Sequence, residues 1–306
     1  MSDGSLFKNR GVSLILGLVA MFFWGSLFPV VKLGYRAFGV DTGSVGSILL
    51  FAGIRFVLCG GIFLAVIHRR GGLKVPRGRT LSAVTGVALF AYFLHYMCTY
   101  VGIARLDSSK TAIIKQVGSL FIVCFAFLFR REDSFSPRKL IGGLLGFLSI
   151  LVINMNGLRL SFNVYDLLVI AASFASVAAV VISKNAYDTM DPLSVTGWAQ
   201  LLGGAALTAA GLLLGGWLTR FGPDAALIML YMCFASCAGY GLWNMLLKYN
   251  DMSRLNTIKF AETLFGVFCA WLLLGEDIFR PIYLVSLLLL CAGIVIGTGR
   301  PARPRA

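Results

Sequence analysis

Ten windows of about 20 mostly apolar residues follow one another along this chain, each long enough to cross about 30 Å of hydrocarbon as an α-helix. They cover approximately 12–34, 44–68, 80–103, 108–130, 138–156, 164–187, 193–216, 223–248, 254–275 and 280–298, with short connections throughout. Within a bilayer the backbone must satisfy its own N–H and C=O groups, so such a pattern folds as packed helices. The fold class expected is all-α integral membrane, with ten transmembrane helices and no extramembrane domain. A composition 58% hydrophobic and only 13% charged agrees.

The net charge of +14 does not imply nucleic acid, because the basic residues fall where the positive-inside rule places them. With the N-terminus assigned to the cytoplasm, 17 Lys and Arg lie in inner segments, six in outer segments and four inside spans, accounting for all 27. The four are Lys32, Arg55, Lys115 and Lys259. Ten spans then put both termini inside, in a multi-pass protein of the inner (plasma) membrane. The first span is too long, and lacks the cleavage site, for a removable signal peptide. All seven cysteines fall inside spans, where thiols pack as small apolar groups.

Sliding the sequence by 144 residues pairs Tyr96 with Tyr240, Asp107 with Asp251, Lys115 with Lys259, Glu132 with Glu276 and Pro137 with Pro281. Between 90 and 137, 16 of 48 positions are identical under that shift, and greasy composition alone does not pair Lys, Glu, Asp and Pro. Two five-helix units are expected, 1–156 and 157–306. Because five is odd, the second enters the membrane from the opposite face, an inverted repeat of the kind found in secondary transporters.

FWGSLFPVVK in the first span, GIRF in the second and LLLGED at the end of the ninth resemble the drug/metabolite transporter superfamily, specifically its EamA-type ten-span members. The resemblance covers essentially the whole chain. It implies a central cavity between the halves, lined mainly by spans one, three, four, six, eight and nine, with five and ten peripheral. Members commonly carry a proline thirteen residues before the acid that closes spans four and nine; here Ser119 and Thr263 stand there.

A lysine at the bilayer centre costs roughly 2.5–3.5 kcal/mol on insertion scales, so Lys115 and Lys259 need a reason. Lys115 continues into a stripe with Ser119, and Lys259 shares its face with Glu262 and Thr263. One reading has both ammonium groups snorkelling to the headgroups. The favoured one turns both toward the cavity as positive sites for carboxylate or phosphate. Glu262, three residues from Lys259, is expected to pair with it, to hold a substrate ammonium or to carry a coupling proton. An acid beside a cation suits a zwitterion better than a polyanion.

Tyr92, Tyr96 and Tyr100 recur at fourth-residue spacing in span three, with His95 beside them. The corresponding stripe in span eight holds Tyr240 and Asn244, flanked by Trp243, and span one offers Trp24 with Phe28 and Lys32. These are either packing or substrate walls, since phenol and amide groups at membrane depth need partners. Lys32 and Lys184 are expected to snorkel to opposite surfaces, and Arg55 to make a structural salt bridge or carbonyl contact.

No nucleotide-binding glycine loop, metal spacing or catalytic arrangement is present in the sequence, so neither an enzyme nor a cofactor is expected. The function expected is a secondary active transporter, with the resemblance favouring an exporter. Its substrate would be a small carboxylate-bearing metabolite, an amino acid or organic acid, moved by alternating access. A proton or a counter-substrate would be the coupling partner, and the protein a monomer or homodimer. The alternatives are an exchanger of phosphorylated metabolites, a flippase for lipids or amphiphiles, and an exporter of cationic drugs.

Overall fold

The computed structural model describes residues 5–125, 137–153, 155–156, 159–250, 255 and 258–298. Helices α1 (Ser5–Lys8), α2 (Arg10–Ala37) and α3 (Val45–Arg69) open the chain. A rod over Gly78–Ile103 follows, made of α4 (Gly78–Val87), π-helical turns at Ala88–Leu94 and α5 (His95–Ile103). Then come α6 (Ser108–Ile114), α7 (Val117–Phe125), α8 (Pro137–Ile153), α9 (Val164–Ala186) and α10 (Pro192–Leu213). The series closes with α11 (Pro223–Tyr249), α12 (Ala261–Leu274) and α13 (Pro281–Thr298). A two-residue antiparallel pairing, Met155–Asn156 with Arg159–Leu160, joins α8 to α9.

Local signals set the ends of these helices. The Asn9 side chain accepts from the N–H groups of Gly11 and Val12 to start α2, and Asn163 with Asp166 forms a reciprocal capping box on α9. Asp191 caps α10 immediately before Pro192, and Gly275, at φ +66°, ends α12 in the left-handed conformation that favours glycine. Among the described residues, five stretches are long and apolar enough to cross a membrane: Gly11–Ala37, Val45–Arg69, Gly78–Ile103, Val164–Ala186 and Pro223–Tyr249. Shorter apolar helices cover Leu140–Ile153, Ala261–Leu274 and Pro281–Gly293.

Windows 108–130 and 254–275 differ from the single helices read from the sequence. The first is interrupted at Lys115–Gln116, and the second has a turn at Lys259–Phe260 just before α12. No proline causes either break. At the first, Gln116 N–H donates to Ile113 O at 3.1 Å, a tightened turn, and Ser173 Oγ on α9 donates to the Lys115 carbonyl at 2.9 Å. Gly118 makes room for that approach, since a Cβ there would lie 2.5 Å from Ser173 O. At the second, Glu262 and Thr263 N–H donate to Lys259 O and Phe260 O, each at 3.1 Å. There the small residue sits on the neighbouring helix: a Cβ on Gly25 of α2 would lie 2.6 Å from Glu262 O.

Glycines also bring the helices into backbone contact. Gly46, Gly53 and Gly60 on α3 recur every seven residues and face Gly197, Gly204 and Gly211 on α10, spaced likewise. A Cβ at Gly211 would lie 2.5 Å from Leu50 N, and one at Gly60 2.5 Å from Leu201 N. Such close approach replaces the hydrophobic driving force that lipid cannot supply. At the other side of the bundle α8 meets α13, where Ser149 Oγ lies 2.9 Å from Ser286 Oγ and a Cβ on Gly293 would sit 2.6 Å from Gly142 O. Between these pairs lie α2, the Gly78–Ile103 rod, α6, α9, α11 and α12, and they enclose the polar centre.

Candidate functional site

Two adjoining chambers occupy that centre. The first is lined by Trp24, Tyr92, His95, Tyr240, Trp243, Asn244 and Lys259 among others, and holds about 620 Å³ of atom-free space counted out to its mouth. The second, about 360 Å³, is lined by Phe28, Arg55, Thr99, Tyr100 and Glu262 among others. Trp24, Tyr96 and Lys115 line both and form the partition. Across it Tyr96 and Tyr240 share a hydrogen bond of 2.7 Å between their hydroxyls. The Trp24 indole packs edge-on against Tyr240, with 4.9 Å between ring centroids, in space that Gly239 leaves open.

Both helix breaks place their lysine against a chamber. Lys115 Nζ reaches Glu262 Oε1 at 2.9 Å and lies 5.0 Å from the centroid of the Phe28 ring, within reach of a cation–π contact. The expected Glu262–Lys259 pair is therefore replaced by one between helices. Lys259 is left with Ser176 Oγ at 3.4 Å and is 9% exposed, its ammonium on the wall of the first chamber. Glu262 is fully buried, and its second oxygen, Oε2, has no hydrogen-bond partner among the described residues.

The remaining sequence candidates separate. His95 Nδ1 lies 2.7 Å from the Ala172 carbonyl and so carries the proton of that bond, leaving Nε2 as the ring's other polar atom. Asn244 Nδ2 donates to Thr196 Oγ1 at 2.6 Å. Tyr92 faces the first chamber and Tyr100 the second, with Tyr96 between them in ring contact with both. Ser119 and Thr263 line neither chamber: the Ser119 hydroxyl is buried without a partner, and Thr263 Oγ1 donates to Ala112 O at 3.2 Å. Lys32, expected to snorkel, lies 3.6 Å from Glu276 instead, and Lys184 donates to the Asn250 carbonyl at 3.0 Å.

Arg55, expected to make a structural salt bridge or carbonyl contact, bonds to side-chain hydroxyls. It is 1% exposed, hydrogen-bonded to the hydroxyls of Ser236 and Tyr100, and its guanidinium lies 4.9 Å from the Phe56 ring centroid. No carboxylate reaches it among the described residues. A signal was present in the sequence: none of the first three apolar windows contains an Asp or Glu to pair with this arginine.

Beyond the chambers, at the end of the bundle marked by Lys32, Glu276 crosses to α6. Its carboxylate accepts from Ser108 N–H at 2.8 Å, Ser109 N–H at 2.9 Å and Ser109 Oγ at 2.6 Å, so it caps that helix. Burial alone would raise its pKa. The hydrogen bonds from Ser109 and Ser108, with Lys32 nearby, outweigh burial and hold the carboxyl below the usual glutamate range.

The profile of the EamA-like transporter family matches this chain twice, over residues 11–155 and 163–298. A "Probable amino-acid metabolite efflux pump" of Salmonella typhimurium is 24% identical, over 92% of this chain and 93% of its own length. An "S-adenosylmethionine/S-adenosylhomocysteine transporter" of Chlamydia muridarum is 24% identical over 87% of this chain and 85% of its own. A solved crystal structure superposes with a TM-score of 0.70 at 19% identity, covering 95% of this chain and 97% of that one, and so shares the fold. With five helices of membrane-crossing length and a family match over nearly all of its residues, this multi-pass membrane protein belongs to the EamA-like transporter family.

Proposed function

We propose that the protein is a secondary active exporter of a small carboxylate-bearing metabolite, an amino acid or organic acid, in the inner membrane. It would work by alternating access through ten spans, with both termini cytoplasmic and the units 1–156 and 157–306 inverted. The observation that carries this reading is the placement of Lys259: a buried ammonium at a helix break, on a chamber wall, with a serine hydroxyl as its hydrogen-bond partner among the described residues. A charge left so poorly compensated at membrane depth is costly, and a substrate carboxylate would offset that cost. Discontinuous helices at a midplane site are a recurring transporter device, which supports the same reading.

Aromatic walls from Trp24, Tyr92, Tyr240 and Trp243 suit the body of a small metabolite, while Asn244 and His95 supply polar contacts. Glu262, pairing with Lys115 from the other half, is the group proposed to hold a coupling proton or a substrate ammonium through its free Oε2. A dianionic phosphate would meet that carboxylate's repulsion. The names of the relatives, an amino-acid metabolite efflux pump and a transporter of S-adenosylmethionine, support a substrate bearing both an amine and a carboxylate.

The test is thermal stabilisation of the purified protein by amino acids, organic acids, phosphorylated metabolites and organic cations, since a ligand that binds the native state raises its apparent stability. Carboxylates should stabilise the wild type, and the effect should vanish in Lys259→Ala. Equal stabilisation of both proteins by the same carboxylate would sink the assignment.

A further inference from the structure

Resting on that reading, we propose that Arg55 and Thr99 form a second carboxylate-binding station, in the chamber beyond the Trp24–Tyr96–Tyr240 partition, for substrates with an apolar body.

Arg55 carries a permanent charge on α3, fully buried, with the Ser236 and Tyr100 hydroxyls as its side-chain hydrogen-bond partners among the described residues. Those bonds come from opposite sides of the bundle, α11 and α5, and hold the guanidinium beside the chamber it lines. A planar fork held in this way is suited to a carboxylate, which takes two parallel N–H bonds. A purely structural arginine in lipid surroundings would be expected to find a carboxylate or several carbonyls, and among the described residues Arg55 has neither.

Thr99 supplies the independent observation. Thr99 lines the same chamber, and its hydroxyl is buried with no hydrogen-bond partner among the described residues. A buried unpaired hydroxyl is a destabilising feature unless something arrives to use it. Leu27, Phe28, Val31 and Ile103 line the same chamber, so the surroundings of these two polar groups are largely apolar. Glu262 and Lys115 line the chamber as an ion pair and offset each other, so Arg55 is left as a single positive charge and a monocarboxylate with an apolar side chain is the matching class. Substrate would then pass from Lys259 to Arg55 as the partition opens, exchanging one cation for another without leaving a carboxylate bare.

The experiment is counterflow of labelled L-leucine and L-phenylalanine in proteoliposomes holding wild type, Arg55→Lys or Thr99→Val, with melting temperatures recorded for each. Thr99→Val removes an unpaired hydroxyl at nearly constant volume, so it should melt at or above the wild-type temperature. Its counterflow should nonetheless fall roughly three- to tenfold, the range of one neutral hydrogen bond. Arg55→Lys, which keeps the charge but loses the fork, should fall roughly tenfold or more. If Arg55→Lys does not fold, Thr99→Val decides alone. Wild-type rates in every variant that folds would overturn the second station and leave the Lys259 assignment standing. If the wild type neither exchanges nor is stabilised by either amino acid, the station falls, and the Lys259 reading stands or falls on the wider carboxylate panel.

Discussion

Tyr96 and Tyr240, which stand 144 positions apart and are equivalent under the internal repeat, meet hydroxyl to hydroxyl at 2.7 Å on the partition between the two chambers. Each phenol is the other's hydrogen-bond partner in a place with little else to offer. Tyr240→Phe should therefore cost about 1 kcal/mol of stability, because the Tyr96 hydroxyl is left without its partner. The double variant with Tyr96→Phe should be less destabilised than the sum of the two single changes. A thermal-unfolding cycle of the four proteins checks this, and strict additivity would mean the hydroxyls do not interact.

The Lys115–Glu262 ion pair has one fully buried partner. Glu262→Gln should leave the ammonium without a counter-ion and cost roughly 3–5 kcal/mol, whereas replacing both residues by apolar ones should recover most of that loss. If the single and double variants unfold alike, the pair is not a coupled unit. Transport by the double variant would separate stability from any role of Glu262 in coupling.

Glu276 makes stability depend on acid in a defined direction. Its folded pKa lies below the ordinary value of about 4.3, so its contribution is complete above that pH and is lost as pH falls through the depressed folded value. Glu276→Gln should lower the melting temperature at pH 7, and the difference from wild type should shrink below about pH 4. A pH-independent difference would show that the capping bonds to Ser108 and Ser109 do not require the charge.

Glycine spacing on α3 distinguishes contact from open face. Gly53→Ala would drive a methyl group into the Thr208 backbone, and the helix pair should be destabilised or splayed. Gly61→Ala meets nothing within 4 Å and should be neutral or stabilising by about 0.5–1 kcal/mol. Expression and melting temperature of the two variants should move in opposite directions.

Length, apolarity and the spacing of Lys115, Glu262 and Tyr96 were legible without coordinates, because a bilayer admits few backbones and a repeat of polar residues in a greasy background stands out. Family membership followed from short motifs spread over the whole chain. The partner of Glu262 was not legible: sequence distance favoured Lys259, three residues away, yet helix packing chose Lys115, 147 positions earlier. Nor were the breaks at Lys115 and Lys259, which no proline marks and which rest on contacts made by Ser173 and Gly25 on neighbouring helices. Arg55 shows the same division. A charged fork in an apolar span with no acid in the neighbouring windows can be read from residue order, since composition and hydropathy are local properties. That this fork faces a chamber beside a Thr99 hydroxyl unpartnered among the described residues follows from helix packing, because which groups meet depends on how closely glycine lets helices approach.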